Sequence, residues 1–333
     1  MAQMKYFYEL TISSSPHAHS PVTTQTIMRD VLIALVPALL GSIYFFGFRA
    51  LLVTLVSAAA CVFFEWGFCK IRKLHCKTYD LSAVVTGVLL AFVCPVTIPY
   101  WTIILGDFFA IVLVKMLFGG LGKNIVNPAL AGRAFLFSWP VIMSNWVKVG
   151  FDNAAGLLST ADAVTAATPL AVMHQQKMLP EESILDMFLG NIGGCIGETS
   201  ALLLIIGFIY LLYRKVITAR IPLAYIGTVA ILAFLFPQGN DRIAWMAAQV
   251  FGGGLMLGAI FMATDYVTSP LTKLGQIVYG IGCGVITILI RYFGGYSEGV
   301  TYAILCMNAC AVLLDKIGRP VKFGAPKKEA AKK

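Results

Sequence analysis

The sequence predicts an all-α integral membrane protein with about ten transmembrane helices. Of its 333 residues, 59% are hydrophobic and only 12% are charged, whereas a soluble domain has roughly 25% charged residues. Apolar runs of about twenty residues, long enough to cross a bilayer, recur along the chain and end near Pro or Gly. Most of this chain is therefore expected to lie in lipid.

The apolar runs divide the chain into membrane halves and connecting segments. We place the spans at residues 31–48, 50–69, 81–96, 99–118, 127–146, 192–213, 221–237, 243–263, 274–292 and 297–315. The resulting organisation is an N-terminal segment (1–30), a first membrane half (31–146), a long loop (147–191), a second membrane half (192–315) and a basic tail (316–333).

The positions of the basic residues predict the orientation in the membrane. The net charge of +9 could indicate nucleic-acid binding, but the Lys and Arg residues lie between spans and not on one solvated face, which argues against it. With a cytoplasmic N-terminus, 18 of the 25 basic residues fall in inside segments and 5 in outside loops. The positive-inside rule then predicts a multi-pass protein of the cell membrane, with both termini cytoplasmic and the 147–191 loop outside.

An internal repeat is also visible. Residues 90–95 (LAFVCP) resemble residues 232–237 (LAFLFP), and a further proline follows each run by 33 residues. The offset of 142 also relates residues 72–73 to 214–215. Many transporters build a binding site at the interface of such repeats. The sequence leaves open whether the two halves run parallel or inverted.

The cysteines and histidines do not predict a metal site. The eight cysteines contain no C-x-x-C and lie mostly in apolar runs, which is typical of small buried thiols. His17 and His19 are two residues apart with no third ligand nearby.

Ionisable residues inside spans are costly unless they are paired or hydrated, so they are candidates for function. They are Glu65, Asp107, Lys115, Arg133, Glu198, Asp265 and Asp315. We expect Glu198 and Asp107 to be the strongest candidates for an ion pathway. Asp107 and Lys115 share one face of a regular helix, which alternatively predicts a structural pair.

The outside loop contains a run of small residues around two threonines, residues 162–168 (DAVTAAT). As composition alone, this run is typical of an exposed loop or of a helix start with Asp162 as its cap. The run also resembles the acceptor pattern D-x-x-[ST]-[AG]-A-T, in which a flavin transferase attaches FMN through its phosphate to the last threonine. Here that residue is Thr168. Thr165, Ala166 and Ala167 fill the preceding positions, where the pattern more often has Ser-Gly in place of Thr165-Ala166.

Four further runs resemble one family, the Rnf D-type subunits and the related B subunit of the sodium-pumping NADH:quinone reductase. The runs are residues 15–19 (SPHAH), 119–124 with 127–129, 197–200 (GETS), and 261–265 with 268–270. The resemblance covers nearly the whole chain. B-type members have a longer N-terminal region, so the short one here favours the D type.

The resemblance implies one subunit of a six-subunit complex that passes electrons between ferredoxin and NAD and moves sodium ions or protons. It also implies covalent FMN on Thr168, a maturing flavin transferase, a fold similar to urea transporters and, as in some members, a second, non-covalent riboflavin. The alternative is a solute channel of the same fold without flavin, against which the acceptor motif argues. The chain lacks a dinucleotide-binding fingerprint, so we expect NAD to bind elsewhere in the complex.

Overall fold

The computed structural model describes residues 22–73, 78–143, 145–146, 168–180 and 182–318. The described residues form helices and short turns without any β-strand, which confirms the all-α class for that part of the chain. The helices are α1 (Thr24–Phe46), α2 (Phe48–Ile71), α3 (Ser82–Phe92), α4 (Tyr100–Phe108), α5 (Pro128–Leu136), α6 (Pro140–Met143), α7 (Pro169–Gln176), α8 (Ile184–Leu189), α9 (Ala201–Tyr213), α10 (Arg220–Leu235), α11 (Arg242–Phe251), α12 (Leu255–Leu257), α13 (Lys273–Phe293) and α14 (Val300–Leu314).

Two helices continue as π-helix, a form in which each turn holds more residues than in α-helix. α4 continues through Phe109–Met116, and α12 continues through Gly258–Met262. Both π segments are buried along most of their length. The first of these segments carries Lys115, whose contacts are described below.

Fewer helices than predicted are long enough to cross a membrane alone. Among the described residues, α1, α2 and α13 meet that requirement, and α11 with α12 and its continuation would make a fourth span bent by 60°. Four shorter apolar helices, α3, α9, α10 and α14, accompany them. The multi-pass membrane architecture is thus supported, while the count of ten spans, the repeat and the likeness to urea transporters stay predictions.

Several predicted spans are shorter because non-helical backbone interrupts them. Residues 93–99 follow α3, and residues 191–200 precede α9. These two segments meet: Ile196 N donates to Cys94 O at 3.0 Å, and Gly197 N donates to Phe92 O at 2.9 Å. Backbone groups that leave a helix inside a membrane protein need such internal partners. Residues 195–198 are buried at this meeting point.

Helices pack closely through small residues, both within each half and between the two halves. α1 lies against α9, α2 against α3, and α10 against α13. At Gly207 in α9, an added Cβ would lie 2.3 Å from the carbonyl oxygen of Ala34 in α1. The close approach of these two helices therefore requires glycine at this position.

Candidate functional site

Thr168 lies at the start of α7 and caps it. Its Oγ1 accepts a hydrogen bond from Ala171 N at 3.2 Å, and Pro169 follows at the first helical position, where its missing N–H costs nothing. The threonine is 6% exposed. The positive end of the α7 dipole thus points at the hydroxyl, and the first-turn N–H groups favour a negative group there.

α7 is fixed against the second half of the protein. Leu170 and Glu298 both lie over Gly253, where an added Cβ would be 2.5 Å from Leu170 Cδ1 and 3.6 Å from Glu298 Cγ. At the other end of the helix, His174 Nδ1 bonds to Arg291 O at 2.7 Å. Arg291 Nε in turn donates to Glu298 O at 3.0 Å. The segment that begins with Thr168 therefore lies beside Glu298.

Glu298 belongs to a buried charged cluster around Arg133, which projects from α5. Arg133 Nη1 lies 3.1 Å from Glu198 Oε1, and Arg133 Nη2 lies 2.5 Å from Glu298 Oε2. Nη1 also donates to Thr301 Oγ1 at 3.3 Å, and Nη2 donates to Cys195 Sγ at 3.4 Å. The cluster thus joins α5 to the interrupted segment before α9 and to the start of α14.

Two atoms of this cluster have no hydrogen-bond partner among the residues that the structure describes, Arg133 Nε and Glu198 Oε2. Both side chains are almost fully buried, with side-chain exposures of 1% and 2%. An unpaired polar atom at such a depth costs about 1–3 kcal/mol. Each is therefore a place where a ligand, an ion or water gains a bond.

Cys195, Glu198 and Glu298 could resemble a metal site, because their ligand atoms all lie within 4.8 Å of one another. The Arg133 guanidinium, however, bonds to all three side chains. It supplies the positive charge that a cation would bring and occupies the space between the ligands. The arrangement is a buried ion-pair network, and it carries no metal assignment.

Asp107, the second candidate for an ion pathway, lies in a separate cluster in the first half. Ser57 Oγ donates to Asp107 Oδ1 at 2.7 Å, and Cys61 Sγ donates to the same oxygen at 3.2 Å. Asp107 is fully buried, and no salt bridge reaches it within the described ranges. Its Oδ2 lacks a hydrogen-bond partner there. The structure does not bring Asp107 and Glu198 together.

The predicted pairing of Asp107 with Lys115 is wrong. Lys115 Nζ instead lies 3.0 Å from Glu65 Oε1 on α2 and donates to Ser82 Oγ at 2.7 Å. Lys115 lies in the π-helical segment Phe109–Met116, where Glu65 and Ser82 hold its ammonium in place of Asp107. Lys115 is 2% exposed, so it is buried and paired.

A cavity of about 80 Å³ lies between the start of α1, α3, the end of α9 and the turn before α5. Its polar lining includes Asn124, Asn127 and Asp265. Asn127 Nδ2 donates to Met262 O at 3.2 Å, and Asn124 Oδ1 has no partner in the described part of the chain. Apolar side chains from Val85, Leu89 and Phe261 complete the wall. Its wall is mainly apolar and contains a few polar groups, a composition that small-molecule sites share.

The structure places some predicted site residues and not others. Asp162, Thr165, Ala166, Ala167, His17 and His19 lie outside the described residues. Sequence reasoning missed Glu298 and Arg291, because both lie at the ends of predicted spans, where charged residues are ordinary. A signal was present at Glu298, which is followed by a glycine at the start of an apolar run, but only the fold shows that it faces Arg133.

Comparison with known proteins gives one family. The model of the NQR2, RnfD, RnfE family matches residues 11–324. The D subunit of the Na(+)-translocating ferredoxin:NAD(+) oxidoreductase complex of Acetobacterium woodii is 46% identical over 321 residues, which cover 96% of each chain.

Two further relatives are similar over most of their length. The D subunit of the proton-translocating ferredoxin:NAD(+) oxidoreductase complex of Clostridium ljungdahlii is 45% identical over 94% of this chain and 96% of its own. The D subunit of the ion-translocating oxidoreductase complex of Halorhodospira halophila is 36% identical over 93% of this chain and 94% of its own. These matches, together with the runs quoted from the sequence, identify the chain as a member of the NQR2, RnfD, RnfE family.

Proposed function

We propose that this chain is the D-type membrane subunit of an ion-translocating ferredoxin:NAD oxidoreductase complex and carries FMN as a phosphoester on Thr168. The names of the relatives support the complex and the reaction. The flavin supplies one- and two-electron redox chemistry, through which the subunit passes electrons between its partners. We place the chain in the cell membrane with both termini cytoplasmic and the Thr168 segment outside.

The observation that carries the flavin site is the position of Thr168 at the N-terminus of α7, as the last residue of the acceptor motif. A phosphoester adds negative charge at the end of a helix dipole that favours it, an interaction of typically about 0.3–1 kcal/mol. The Ala171 N–H, which bonds to the hydroxyl oxygen in this structure, is available to a phosphate oxygen. The residues present therefore fit an esterified threonine.

Thr168 is also nearly buried, and this bears on how the flavin is attached. A flavin transferase must reach the hydroxyl, and Pro169 and Leu170 behind it are buried as well. We therefore propose that attachment happens on the outer side before α7 packs against Gly253, and that packing then fixes the modified threonine.

The test compares two threonines of one motif in the chain produced with its flavin transferase. Thr168→Ala removes the oxygen that the phosphate bonds to, so the flavin fluorescence of the chain in a denaturing gel should disappear and its intact mass should fall to that of the bare polypeptide. Thr165→Ser restores the commoner motif residue and should keep both signals. Fluorescence that persists in Thr168→Ala and maps elsewhere would reject the site. A wild-type chain without flavin would reject the redox function and favour the channel alternative.

We also propose that the cavity between α1, α3 and α9 holds the second, non-covalent flavin. An isoalloxazine ring matches the apolar wall, and the unpartnered Asn124 Oδ1 would accept a hydrogen bond from the ring or its ribityl hydroxyls. Acid extraction of the purified chain should release riboflavin, and Asn124→Leu should reduce the amount released. Riboflavin release unchanged by Asn124→Leu would argue against this cavity.

A further inference from the structure

The first turns of α10 and α13 lie side by side at one end of the protein. An added Cβ at Gly280 would lie 2.9 Å from Ile221 O, and one at Gly284 would lie 3.1 Å from Tyr225 O. Since both contacts advance by one helical turn in the same direction, the two helices run parallel. The residues that precede and begin them therefore share one surface.

Hydrogen bonds between neighbouring segments gather four basic residues on this surface. Arg220 Nη1, at the start of α10, donates to Gln276 Oε1 in the first turn of α13 at 3.2 Å. The cap of α13, Thr272, donates through its hydroxyl to Ile317 O at 2.8 Å, which ties the end of α14 to the same place. Tyr266 donates to Val216 O and so holds the turn between α9 and α10. We call the four residues that these bonds bring together the basic platform: Lys215, Arg220, Lys273 and Lys316.

The basic platform carries an excess of positive charge. Its three lysines are exposed, and its arginine is half-buried. The carboxylates of the neighbouring segments have other partners: Asp30 pairs with Arg214 at 3.1 Å, and Asp315 accepts a hydrogen bond from Leu271 N at 2.7 Å. Asp265 lines the cavity between α1, α3 and α9. The exposed charge is therefore positive, and it favours an anionic partner.

Exposed apolar side chains border the basic platform. Leu271 and Leu274, on either side of Lys273 in the chain, are 79% and 56% exposed. Ile277 and Ile281 are exposed as well and continue from Leu274 as one stripe along α13. In a membrane protein, an apolar stripe that ends at basic side chains lies where the hydrocarbon meets the headgroups. A partner that satisfies both the charge and the stripe is an amphiphile.

We propose that the basic platform binds the headgroup phosphate of an anionic phospholipid, whose acyl chains lie along the apolar stripe of α13. Lysine and arginine side chains next to a membrane helix attract anionic headgroups. Soluble phosphate matches the charge of the platform but leaves the stripe unused. The chain also continues from the platform with six further basic residues and one acidic residue in 319–333, and their charge adds to the attraction.

Native mass spectrometry of the full-length chain in detergent tests the site. The chain is mixed with equal amounts of phosphatidylglycerol and phosphatidylcholine that have the same acyl chains, and the retained lipids are counted. The wild type should retain the anionic lipid about five-fold or more over the zwitterionic one, since a single basic residue near the headgroups contributes about that factor. Lys215→Gln/Lys273→Gln/Lys316→Gln should bring the ratio close to one, whereas Lys215→Arg/Lys273→Arg/Lys316→Arg should keep it. Loss of the ratio in the arginine variant, or no preference in the wild type, would overturn the proposal.

A matched control separates the basic platform from the total charge of the chain. Lys70→Gln/Arg72→Gln/Lys73→Gln removes three exposed charges at the end of α2, which changes the net charge by the same amount. This variant should retain phosphatidylglycerol with the wild-type preference. An equal loss of preference in both glutamine variants would show general electrostatic attraction and contradict a site at the platform.

The apolar stripe distinguishes a lipid from a soluble anion. Leu271→Ser/Leu274→Ser keeps every charge of the basic platform and removes two apolar side chains beside it, so it should lower the number of phosphatidylglycerol molecules retained. Glycerol phosphate, which has the headgroup charge without acyl chains, should displace little of the bound lipid. Unchanged retention in the serine variant, or complete displacement by glycerol phosphate, would identify a site for soluble phosphate and overturn the assignment to a lipid.

Discussion

Lys115 Nζ lies 3.0 Å from Glu65 Oε1, and this buried ion pair joins the π-helical end of α4 to α2. The Lys115 ammonium also donates to Ser82 Oγ, whose hydroxyl donates to Asp80 Oδ1 at 2.6 Å. Three elements of the first membrane half thus meet at one charge pair. Removing one partner leaves an uncompensated buried charge, which costs about 3–5 kcal/mol, whereas replacing both partners by apolar residues is often tolerated.

We therefore predict that Lys115→Met lowers the thermal unfolding temperature of the purified chain in detergent, and that Glu65→Leu/Lys115→Met recovers most of the loss. The single variant leaves the Glu65 carboxylate buried without its cation. Thermal unfolding followed by tryptophan fluorescence gives the unfolding temperatures of the single and the double variant. If the double variant is no more stable than the single one, the pair contributes through other contacts and not through its charges.

The contact between α1 and α9 gives a second prediction. Gly207→Ala should destabilise the chain, because the added Cβ would lie 2.3 Å from Ala34 O and force the helices apart. Gly227→Ala, in α10, meets no atom within 4 Å and should be neutral or stabilising by about 0.5–1 kcal/mol, since alanine favours helix. The difference between the two unfolding temperatures is the measurement. Equal temperatures would show that α1 and α9 are not in close contact.

Glu198 is expected to serve ion passage, because its Oε2 lacks a partner in the described structure although the side chain is buried. Glu198→Gln keeps the size of the side chain and removes its charge. It should lower ion-coupled electron transfer in the complex while flavin attachment to Thr168 stays at the wild-type level. Ion uptake into vesicles measures the coupled activity, and the flavin band in a denaturing gel measures the attachment to Thr168. Full coupled activity in the variant would show that Glu198 has only a structural role in the Arg133 cluster.

Asp107 gives an independent test of the other candidate pathway. Its carboxylate has two donors, Ser57 and Cys61, and no salt bridge within the described ranges, so a cation or a proton is its natural partner. Asp107→Asn should lower ion uptake driven by electron transfer, whereas Asp186→Asn on α8 should not. Ion uptake at the wild-type level in Asp107→Asn would show that Asp107 is not part of the ion pathway.

The orientation in the membrane can be tested by cysteine labelling. Asn153→Cys in the 147–191 loop should react with a membrane-impermeant maleimide in intact cells, in a background depleted of native cysteines. Arg72→Cys, in an exposed turn after α2, should react only after lysis. The opposite pattern would invert the topology predicted from the distribution of Lys and Arg.

The sequence by itself determined the class of the protein and the motif around Thr168. High hydrophobicity and repeated apolar runs sufficed for an all-α membrane protein, because a bilayer leaves helices as the simplest way to satisfy backbone hydrogen bonds. The four runs shared with the family, among them Gly197-Glu198-Thr199-Ser200, are local in sequence and need no fold to be seen. The family comparison agrees with them.

The tertiary structure alone decided which charged residues meet. Helical spacing predicted Asp107 with Lys115, but Lys115 pairs with Glu65 on another helix, and a contact between helices has no local signal in the sequence. Arg133 contacts Glu198 and Glu298, which are 65 and 165 residues away. Glu198 reaches Arg133 from an interrupted segment whose position depends on hydrogen bonds between distant stretches of backbone. Apolar periodicity reports only the lipid or protein environment of a helix, whereas the pairing of buried charges depends on contacts between elements far apart in the chain.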